Sequence, residues 1–401
     1  MRDHADYFKR SGRGRGRNAA SLASLALVLV ILAASPAAGQ GVPHIALGWG
    51  VDTTGAVAWT DTGGADVVRE ILRRWSEYLQ SNPGAQQPTK LWSAAEQERW
   101  PQYDLTAGMA YQGMPATVLE ISPAAAGMGD RYVVKTLFGT VVGEAKETKP
   151  IALTRVYVVR EHGQWVFSNV LPYITREWRR EVVGPITYVL EPGYPFDAAR
   201  ARRAVAFADS LAAAYGVPQL TRLSYYLTSS PEQVHRIMGI DWTVAGIGYG
   251  YASQWNRLIF SGAPAAGEDY RHELAHFVLA PLTGAGRTHP LVNEGLATWL
   301  GGSMGRDFPT LMREYATYLR QHPEVTLDAV LEADGPDRGI RPAGAVLALM
   351  VFERGGVTAI KQLLGSGRST DELRTALMGL LGAGWPEIGV RWREQCVAYG
   401  E

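Results

Sequence analysis

The five-residue segment His272-Glu273-Leu274-Ala275-His276 constrains this chain more than any other part of its sequence. Residues four apart lie on one face of an α-helix, so a helix here would present both imidazoles to a single cation. Glu273 is displaced by about 100° around the helix axis and would lie beside that cation without binding it. The spacing therefore predicts a metal site with two histidine ligands and a neighbouring carboxylate.

A third candidate ligand, Glu294, follows eighteen residues after His276 on a second predicted helix that begins at Pro290 and ends at Gly301-Gly302. A catalytic zinc site has three protein ligands and an open fourth position for water. The sequence therefore predicts Zn²⁺ held by His272, His276 and Glu294, with Glu273 as a base beside it.

Two further residues near Glu294 could contribute to this site. His289 precedes the second helix and is a candidate fourth ligand, but a fourth protein ligand would close the site and make it structural. We expect His289 to be a loop residue or a substrate contact instead. Thr298, one helical turn after Glu294, could accept a hydrogen bond from a ligand imidazole and fix its tautomer.

The competing interpretation of the first segment is a surface helix whose histidines bind nothing. Features of a defined, partly buried helix argue against it: Asp269 or Glu268 as an N-terminal cap, Pro281 as the stop, and an apolar face. That face comprises Tyr270, Leu274, Phe277 and Val278.

The HELAH and NEGLATW segments together resemble the gluzincin metallopeptidases, which include thermolysin, the aminopeptidase N group and small bacterial peptidase MA-like domains. The likeness covers roughly residues 183–401, with strands at 186–190 and 223–228 and a helix at 197–215. It implies a small mixed sheet, a mostly helical C-terminal lobe, three zinc ligands, and Glu273 as general base in peptide hydrolysis. The strand at 256–260 resembles the edge against which these enzymes lay an extended substrate.

This sequence departs from the family in two places. Aminopeptidases of the clan carry a GxMEN-type element whose Glu holds the substrate amine, and residues 240–268 contain Gly248-Tyr249-Gly250-Tyr251 in its place, which disfavours an aminopeptidase. Related domains also have a Tyr shortly before the helix that corresponds to 343–354, where this chain has Arg341-Pro342. The donor that stabilises the oxyanion could be Arg341, Tyr315 or Tyr318.

Residues 1–40 are predicted to be a secretory signal peptide. Six basic residues within positions 1–18 precede an apolar run at 19–34 and a small-residue exit at 35–40. An uncleaved membrane anchor is the alternative, but the run is short of the about 20 residues that a span requires. We therefore expect an exported protein, periplasmic or secreted, with no membrane span in the mature chain.

The charge balance bears on possible partners of the exported protein. The full chain has 39 basic and 39 acidic residues, and beyond residue 18 there are 33 basic and 37 acidic ones, a net charge of −4. A mildly acidic protein has no basic surface for nucleic acid. The one cysteine, Cys396, rules out an intramolecular disulfide and is expected to be a packed apolar residue.

Residues 41–182 are predicted to form a separate α+β domain, and 183–401 the metallopeptidase domain. Two helices (67–80 and 92–100) precede strands at 103–111, 116–121, 131–140, 151–161 and 164–171, the last two joined by a tight turn at 161–163. This order resembles the nuclear transport factor 2-like α+β cone. Its tryptophans are expected to pack in a core or interface: Trp59, Trp75, Trp92 and Trp100.

Two hypotheses on function follow. The first is an exported zinc-dependent peptidase acting on a peptide or protein. The second is a catalytically idle zinc-binding module that serves assembly or ligand recognition. Glu273 favours the enzyme, because a purely structural zinc site has no use for a carboxylate beside the metal.

Overall fold

The computed structural model describes residues 52–53, 65–80, 90–101, 104–106, 114–124, 131–142, 147–244, 250–283, 288–332 and 340–399. The predicted signal peptide, Trp59 and most of the strand predicted at 103–111 lie outside these residues. The architecture is α+β, as predicted.

The first unit is a mostly antiparallel sheet with helix α1 (Ala65–Gln80) packed against it, and helix α2 (Ala94–Arg99) is held to the sheet by Glu96, which accepts a hydrogen bond from Ser168 Oγ at 2.6 Å. The strands are ordered β1-β2-β3-β4-β5, with β1 parallel to β2 and the rest antiparallel. They are β1 (Asp52–Thr53), β2 (Ala116–Pro123), β3 (Arg131–Val142), β4 (Glu147–Glu161) and β5 (Gln164–Ser168). The resemblance to nuclear transport factor 2-like cones stays a prediction.

The core of the first unit is built around tryptophans. Trp75, Trp92 and Trp100 are all buried, which confirms the packing role predicted for them. Trp75 contacts Phe167 edge-on, with ring centroids 4.8 Å apart, and its indole N–H donates to Thr136 Oγ1 at 2.8 Å. Each indole thus contributes a large apolar surface, and Trp75 also has a partner for its polar atom.

The second unit contains a five-stranded mixed sheet in the order β10-β11-β8-β7-β6. Strands β7, β8 and β11 are parallel to one another, while the two edge strands run antiparallel to their neighbours. The strands are β6 (Arg179–Val183), β7 (Ile186–Leu190), β8 (Leu223–Leu227), β10 (Gly250–Ser253) and β11 (Leu258–Ser261), and the helices are α4 (Ala198–Tyr215) and α5 (Pro231–Met238). The strand at 256–260 was predicted to be the edge strand of this sheet. It corresponds to β11, which is an inner strand, because β10 pairs with it on its outer side.

The two units are joined through a strand and a common core. Strand β9 (Ile240–Thr243) follows α5 in sequence but pairs with β4 of the first sheet. The predicted domain boundary at 182/183 falls inside β6, whose partner β7 lies beyond a tight turn at Gly184-Pro185. One hydrophobic cluster draws on both units, from Trp100, Phe138 and Leu171 on one side to Tyr226, Ile237 and Phe260 on the other.

The C-terminal half is helical, as predicted. A short helix α3 (Leu171–Ile174) belongs to the junction, and the lobe consists of α6 (Arg271–Thr283), α7 (Pro290–Gly301), α8 (Phe308–Gln321), α9 (Leu327–Glu332), α10 (Ile340–Leu364), α11 (Thr370–Leu381) and α12 (Trp385–Ala398). Ser369 and Glu372 form a capping box at the start of α11. Cys396 is fully buried, as predicted.

Helix α10 is long and apolar enough to span a membrane by length and composition alone. Its most apolar window is 56% buried inside the protein, and Gly356 interrupts it with non-helical dihedral angles (φ 62°, ψ −153°). These are features of a core helix with a break.

The junction predicts that residues 184–401 do not fold normally without the first unit. This fragment lacks β6, leaves β9 without its partner strand and exposes its share of the common cluster to water. We expect it to be aggregated or to lack a cooperative thermal transition, measured by size-exclusion chromatography and circular dichroism. Residues 41–401 are the control, and a 184–401 fragment that melts at the same temperature as that control would refute the expectation.

Candidate metal centre

Helix α6, which carries His272 and His276, is buried on nearly every side. Leu274 and Phe277 pack into the cluster under the mixed sheet, whereas Ala275, Val278 and Leu279 pack into the core of the helical lobe. A helix enclosed by apolar surface holds its few polar side chains in fixed positions. The two histidines are therefore core residues, and the surface-helix interpretation is wrong.

The two ends of α6 compare differently with the prediction. Glu268 accepts a hydrogen bond from the backbone N–H of Asp197 (2.9 Å), and Asp269 pairs with the Arg271 guanidinium; a cap by either carboxylate stays a prediction. Pro281 lies inside the helix, which continues to Thr283. Proline within the last turns removes one N–H donor but leaves the following residues free to remain helical.

Helix α7 supplies Glu294 and is positioned by contact between backbones. A Cβ atom on Gly295 would lie 2.1 Å from the carbonyl carbon of Gly344 in α10, and a Cβ on Gly344 would lie 2.0 Å from the carbonyl oxygen of Leu291. Only glycine allows two helices to approach this closely. Glu294 adjoins Gly295, and Arg341 lies one helical turn before Gly344. The crossing of α7 and α10 therefore brings Glu294 and Arg341 side by side.

His289 is not a ligand. It is the N-cap of α7, and its Nδ1 accepts a hydrogen bond from the Leu291 N–H at 3.2 Å. Capping by a side chain satisfies one of the N–H groups that a helix start leaves without a partner. Burial lowers the pKa of His289. The three-residue ligand group is therefore not closed by this histidine.

His272, His276 and Glu294 form a group that could hold a metal ion. The two Nε2 atoms are 3.2 Å apart. The Nε2 of His272 lies 3.3 Å from Glu294 Oε2, and that of His276 lies 3.3 Å from Oε1. Ligand atoms about 2.0 to 2.1 Å from one tetrahedral zinc lie about 3.3 to 3.4 Å from each other, so the donors fit this ion in kind and in spacing.

The tautomer of His272 is fixed by the end of α7. Its Nδ1 donates to the carbonyl oxygen of Gly302 at 2.9 Å, and a carbonyl only accepts, so Nε2 keeps its lone pair free for a metal. The Thr298 hydroxyl donates to the Glu294 carbonyl at 2.7 Å, and the partner of the His272 Nδ1 is the Gly302 carbonyl in place of Thr298. Gly302, two residues beyond Leu300, has the orienting role that sequence reasoning gave to Thr298.

The ligands occupy a strongly charged environment. Burial acts to raise the pKa of Glu294, but the charge of His276, the close approach of both imidazoles to its oxygens and the Arg341 guanidinium hold it well below its usual range. Burial acts to lower the pKa of His276, but the Glu294 carboxylate raises it overall. Both pKa shifts reflect the same preference, which is for positive charge next to the Glu294 carboxylate. A divalent cation would supply that charge.

Glu273 faces the edge strand β10 and lies outside the ligand group. A Cβ on Gly250 would lie 2.9 Å from Glu273 Oε1 and 2.5 Å from Cε1 of Tyr270, so the strand backbone passes directly over the carboxylate. Tyr270 is buried; burial and, next, the charge of Glu273 raise the pKa of its hydroxyl, which also accepts from the N–H of Met304. Sequence reasoning assigned no site role to Gly250 or Tyr270; the glycine-rich stretch at 248–251 was the available signal.

Of the three residues considered for the oxyanion role, one reaches the ligands. Arg341 Nε donates to Glu294 Oε2 at 3.1 Å. Tyr315 is buried against Trp392, and its hydroxyl has no hydrogen-bond partner among the described residues. Tyr318 is 42% exposed and packs on His322 with ring centroids 4.3 Å apart. Within the described part of the chain, neither tyrosine contacts the group formed by His272, His276 and Glu294.

No protein-family model and no curated protein match the sequence. Similar solved structures include a mutant two-domain M1 zinc metallopeptidase bound to L-tryptophan, at 16% identity over 72% of this chain and 64% of that one (TM-score 0.34). Another is a mutant M1 zinc metallopeptidase from Deinococcus radiodurans bound to a Tyr-Ser-Ala substrate, at 15% identity over 72% and 64% (TM-score 0.33). The chain thus spans less than two thirds of the length of either structure.

Substitution of the ligands is expected to remove the metal. Purified without chelator, the protein should contain about one zinc per chain, and His272→Ala, His276→Ala or Glu294→Ala should contain almost none, because each loses one of only three donors. Elemental analysis measures this directly. His289→Ala is the matched control and should keep its zinc, since its imidazole caps α7; zinc loss in that variant alone would refute the ligand set.

The helix crossing makes a second prediction. Gly295→Ala adds one methyl group against the Gly344 backbone and should lower the free energy of unfolding by about 1 to 3 kcal/mol while displacing Glu294 and reducing zinc content. Gly379→Ala on α11, where a Cβ meets nothing within 4 Å, is the control and should stabilise the helix by about 0.5 to 1 kcal/mol. Equal unfolding midpoints in urea for both variants would show that the crossing is not tight.

Proposed function

We propose that this protein is an exported zinc-dependent peptidase. The observation that carries the proposal is the combination of three zinc-type side chains, whose nearest donor atoms are 3.2 to 3.3 Å apart, with a buried carboxylate, Glu273, that is not one of them. A structural site would be served by the donors alone. A carboxylate beside an open metal position is the arrangement that hydrolysis of a peptide bond requires.

Each residue has a distinct part in this chemistry. Zinc held by His272, His276 and Glu294 would supply Lewis acidity toward water and toward a carbonyl oxygen. Glu273 accepts the proton of the attacking water and delivers it to the leaving amine, as a general base and then a general acid. Its position under the Gly250 backbone keeps its carboxylate at the edge of the mixed sheet.

Arg341 is the proposed donor to the oxyanion that forms on the substrate carbonyl. Its Nε is engaged by Glu294, and its two Nη atoms have no hydrogen bond within the described residues. These N–H groups are fixed donors beside the ligand group and carry a permanent positive charge. Donors held in place before the reaction stabilise developing negative charge without reorganisation.

The proposed substrate is an extended segment of a peptide or protein. Strand β10 is the outer strand of its sheet among the described residues, and an extended peptide can add to such an edge through main-chain hydrogen bonds. Residues 244–253 contain no acidic side chain that could hold a free amine, so we propose that cleavage does not depend on the substrate's N-terminus. The acidic mature chain makes nucleic acid an unsuitable substrate.

Export is proposed from residues 1–40 alone, and the first unit is proposed to contribute to partner recognition. Strand β9 follows α5 of the second unit in sequence and pairs with β4 of the first sheet. A partner recognised by the first unit would therefore bind to a part of the protein that is joined directly to the proposed catalytic unit.

Glu273→Gln is the test that separates an enzyme from an idle zinc module. The amide keeps the shape of the side chain but cannot take a proton, so hydrolysis of a peptide that the wild type cleaves should fall by about 10² to 10⁴-fold. Zinc content and thermal stability should change little. Rates are measured per zinc-loaded chain, by mass spectrometry of a peptide library.

Glu268→Gln provides the matched control, because it removes a buried carboxylate whose contacts are with Asp197 and Arg200. It should retain cleavage in the folded fraction. Wild-type rates in Glu273→Gln would refute the base assignment, and a fully zinc-loaded wild type that cleaves nothing in a broad library would favour the idle module.

A further inference from the structure

Arg341 and Glu294 form an ion pair inside the metal centre that the hydrolytic chemistry does not by itself require. The guanidinium Nε lies 3.1 Å from Glu294 Oε2, and the two side chains are only 18% and 14% exposed. The same carboxylate lies 3.3 Å from each ligand imidazole. Glu294 is thus an anion in a nearly closed space, and Arg341 is its one permanently charged partner among the described residues.

A buried carboxylate that loses its partner is costly, because its charge is then neither hydrated nor neutralised. Zinc would neutralise Glu294 in the loaded protein, but the chain has to fold before the metal is in place. The imidazoles are partial substitutes, because an imidazole carries charge only when protonated and must lose its Nε2 proton to bind a metal. Arg341 remains charged at every relevant pH.

We propose that Arg341 is a positioning residue that preforms the metal centre: it holds Glu294 in its ligand position and neutralises it in the metal-free protein. This inference rests on the zinc site of the proposed function but not on peptide hydrolysis. It assigns Arg341 Nε to the ligand carboxylate and leaves the Nη atoms for the substrate, so the two roles of this side chain are separable.

The geometry of the crossing supports this role. Arg341 lies one turn before Gly344, and Glu294 adjoins Gly295, so the glycine contact that fixes α7 against α10 also fixes the distance between the two charges. Arginine has a planar fork of donors, so one edge can engage Glu294 while the other stays free. Lysine at this position would have a single ammonium group for both tasks.

The test measures thermal unfolding of the full mature chain with zinc and after removal of zinc by a chelator. Arg341→Gln should melt about 5 to 10 °C lower than wild type in chelator, because Glu294 is left buried without a counter-ion. With saturating zinc the difference should shrink to about 3 °C or less, since the ion now neutralises Glu294. The zinc-induced rise in melting temperature should therefore be larger in Arg341→Gln than in wild type.

Arg155→Gln is the matched control for loss of a partly buried arginine. Arg155 pairs with Asp241 at 3.4 Å and is 20% exposed, close to the value for Arg341, but its partner is not a ligand. Its loss should lower both melting temperatures equally and leave the zinc-induced rise unchanged. The double variant Arg341→Gln with Glu294→Gln should be more stable in chelator than Arg341→Gln alone, because the orphaned charge is gone.

Two results would overturn the inference. The first is a melting temperature of Arg341→Gln in chelator that equals that of the wild type. The second is a decrease in melting temperature that is the same with and without zinc, as expected for Arg155→Gln. If Arg341→Gln does not fold without zinc, rescue by zinc or by the added Glu294→Gln change supports the inference, and failure of both refutes it. A wild type that binds no zinc contradicts the proposed function, while the comparison in chelator still decides the role of Arg341.

Discussion

The contact between the backbones of α7 and α10 is the constraint on which the metal centre depends. Each helix contributes a glycine, Gly295 and Gly344, where any side chain would overlap the other backbone. Because the helices touch there, residues that flank the glycines are forced together: Glu294 on one side and Arg341 on the other. A ligand carboxylate and its counter-ion are thus placed by the packing of two helices, with no need for a loop to hold either of them.

The other half of the centre is set by burial of α6 between two cores. Apolar contacts on opposite sides of this helix, to the mixed sheet and to the helical lobe, fix its rotation about its axis. That rotation decides which residues meet the α7 carboxylate, and it directs His272 and His276 toward it while Glu273 faces β10. Packing of this density tolerates little displacement, so the ligands are held at metal-binding distances by apolar surroundings.

The ligands were predictable from sequence because their geometry is local. A four-residue spacing on a helix fixes two imidazoles, and the short connection to α7 makes Glu294 the natural third donor. The Arg341–Glu294 pair spans 47 residues and depends on a helix crossing that periodicity does not encode. The outer position of β10 was missed for the same reason, since the hairpin register that pairs Gly250 with Ser261 comes from tertiary packing.

The junction of the two units reaches closer to the chemistry than the sequence suggested. At the end of β9, the Val244 N–H donates to the Ile151 carbonyl of the first sheet at 2.9 Å. Six residues later along the chain, the Gly250 backbone lies against the carboxylate of Glu273. The first sheet thus holds the chain six residues before the glycine that lies against the Glu273 carboxylate. The first unit is thus joined to the unit that carries the candidate metal site both by this strand pairing and by the common core that contains Trp100, Phe138, Tyr226 and Phe260.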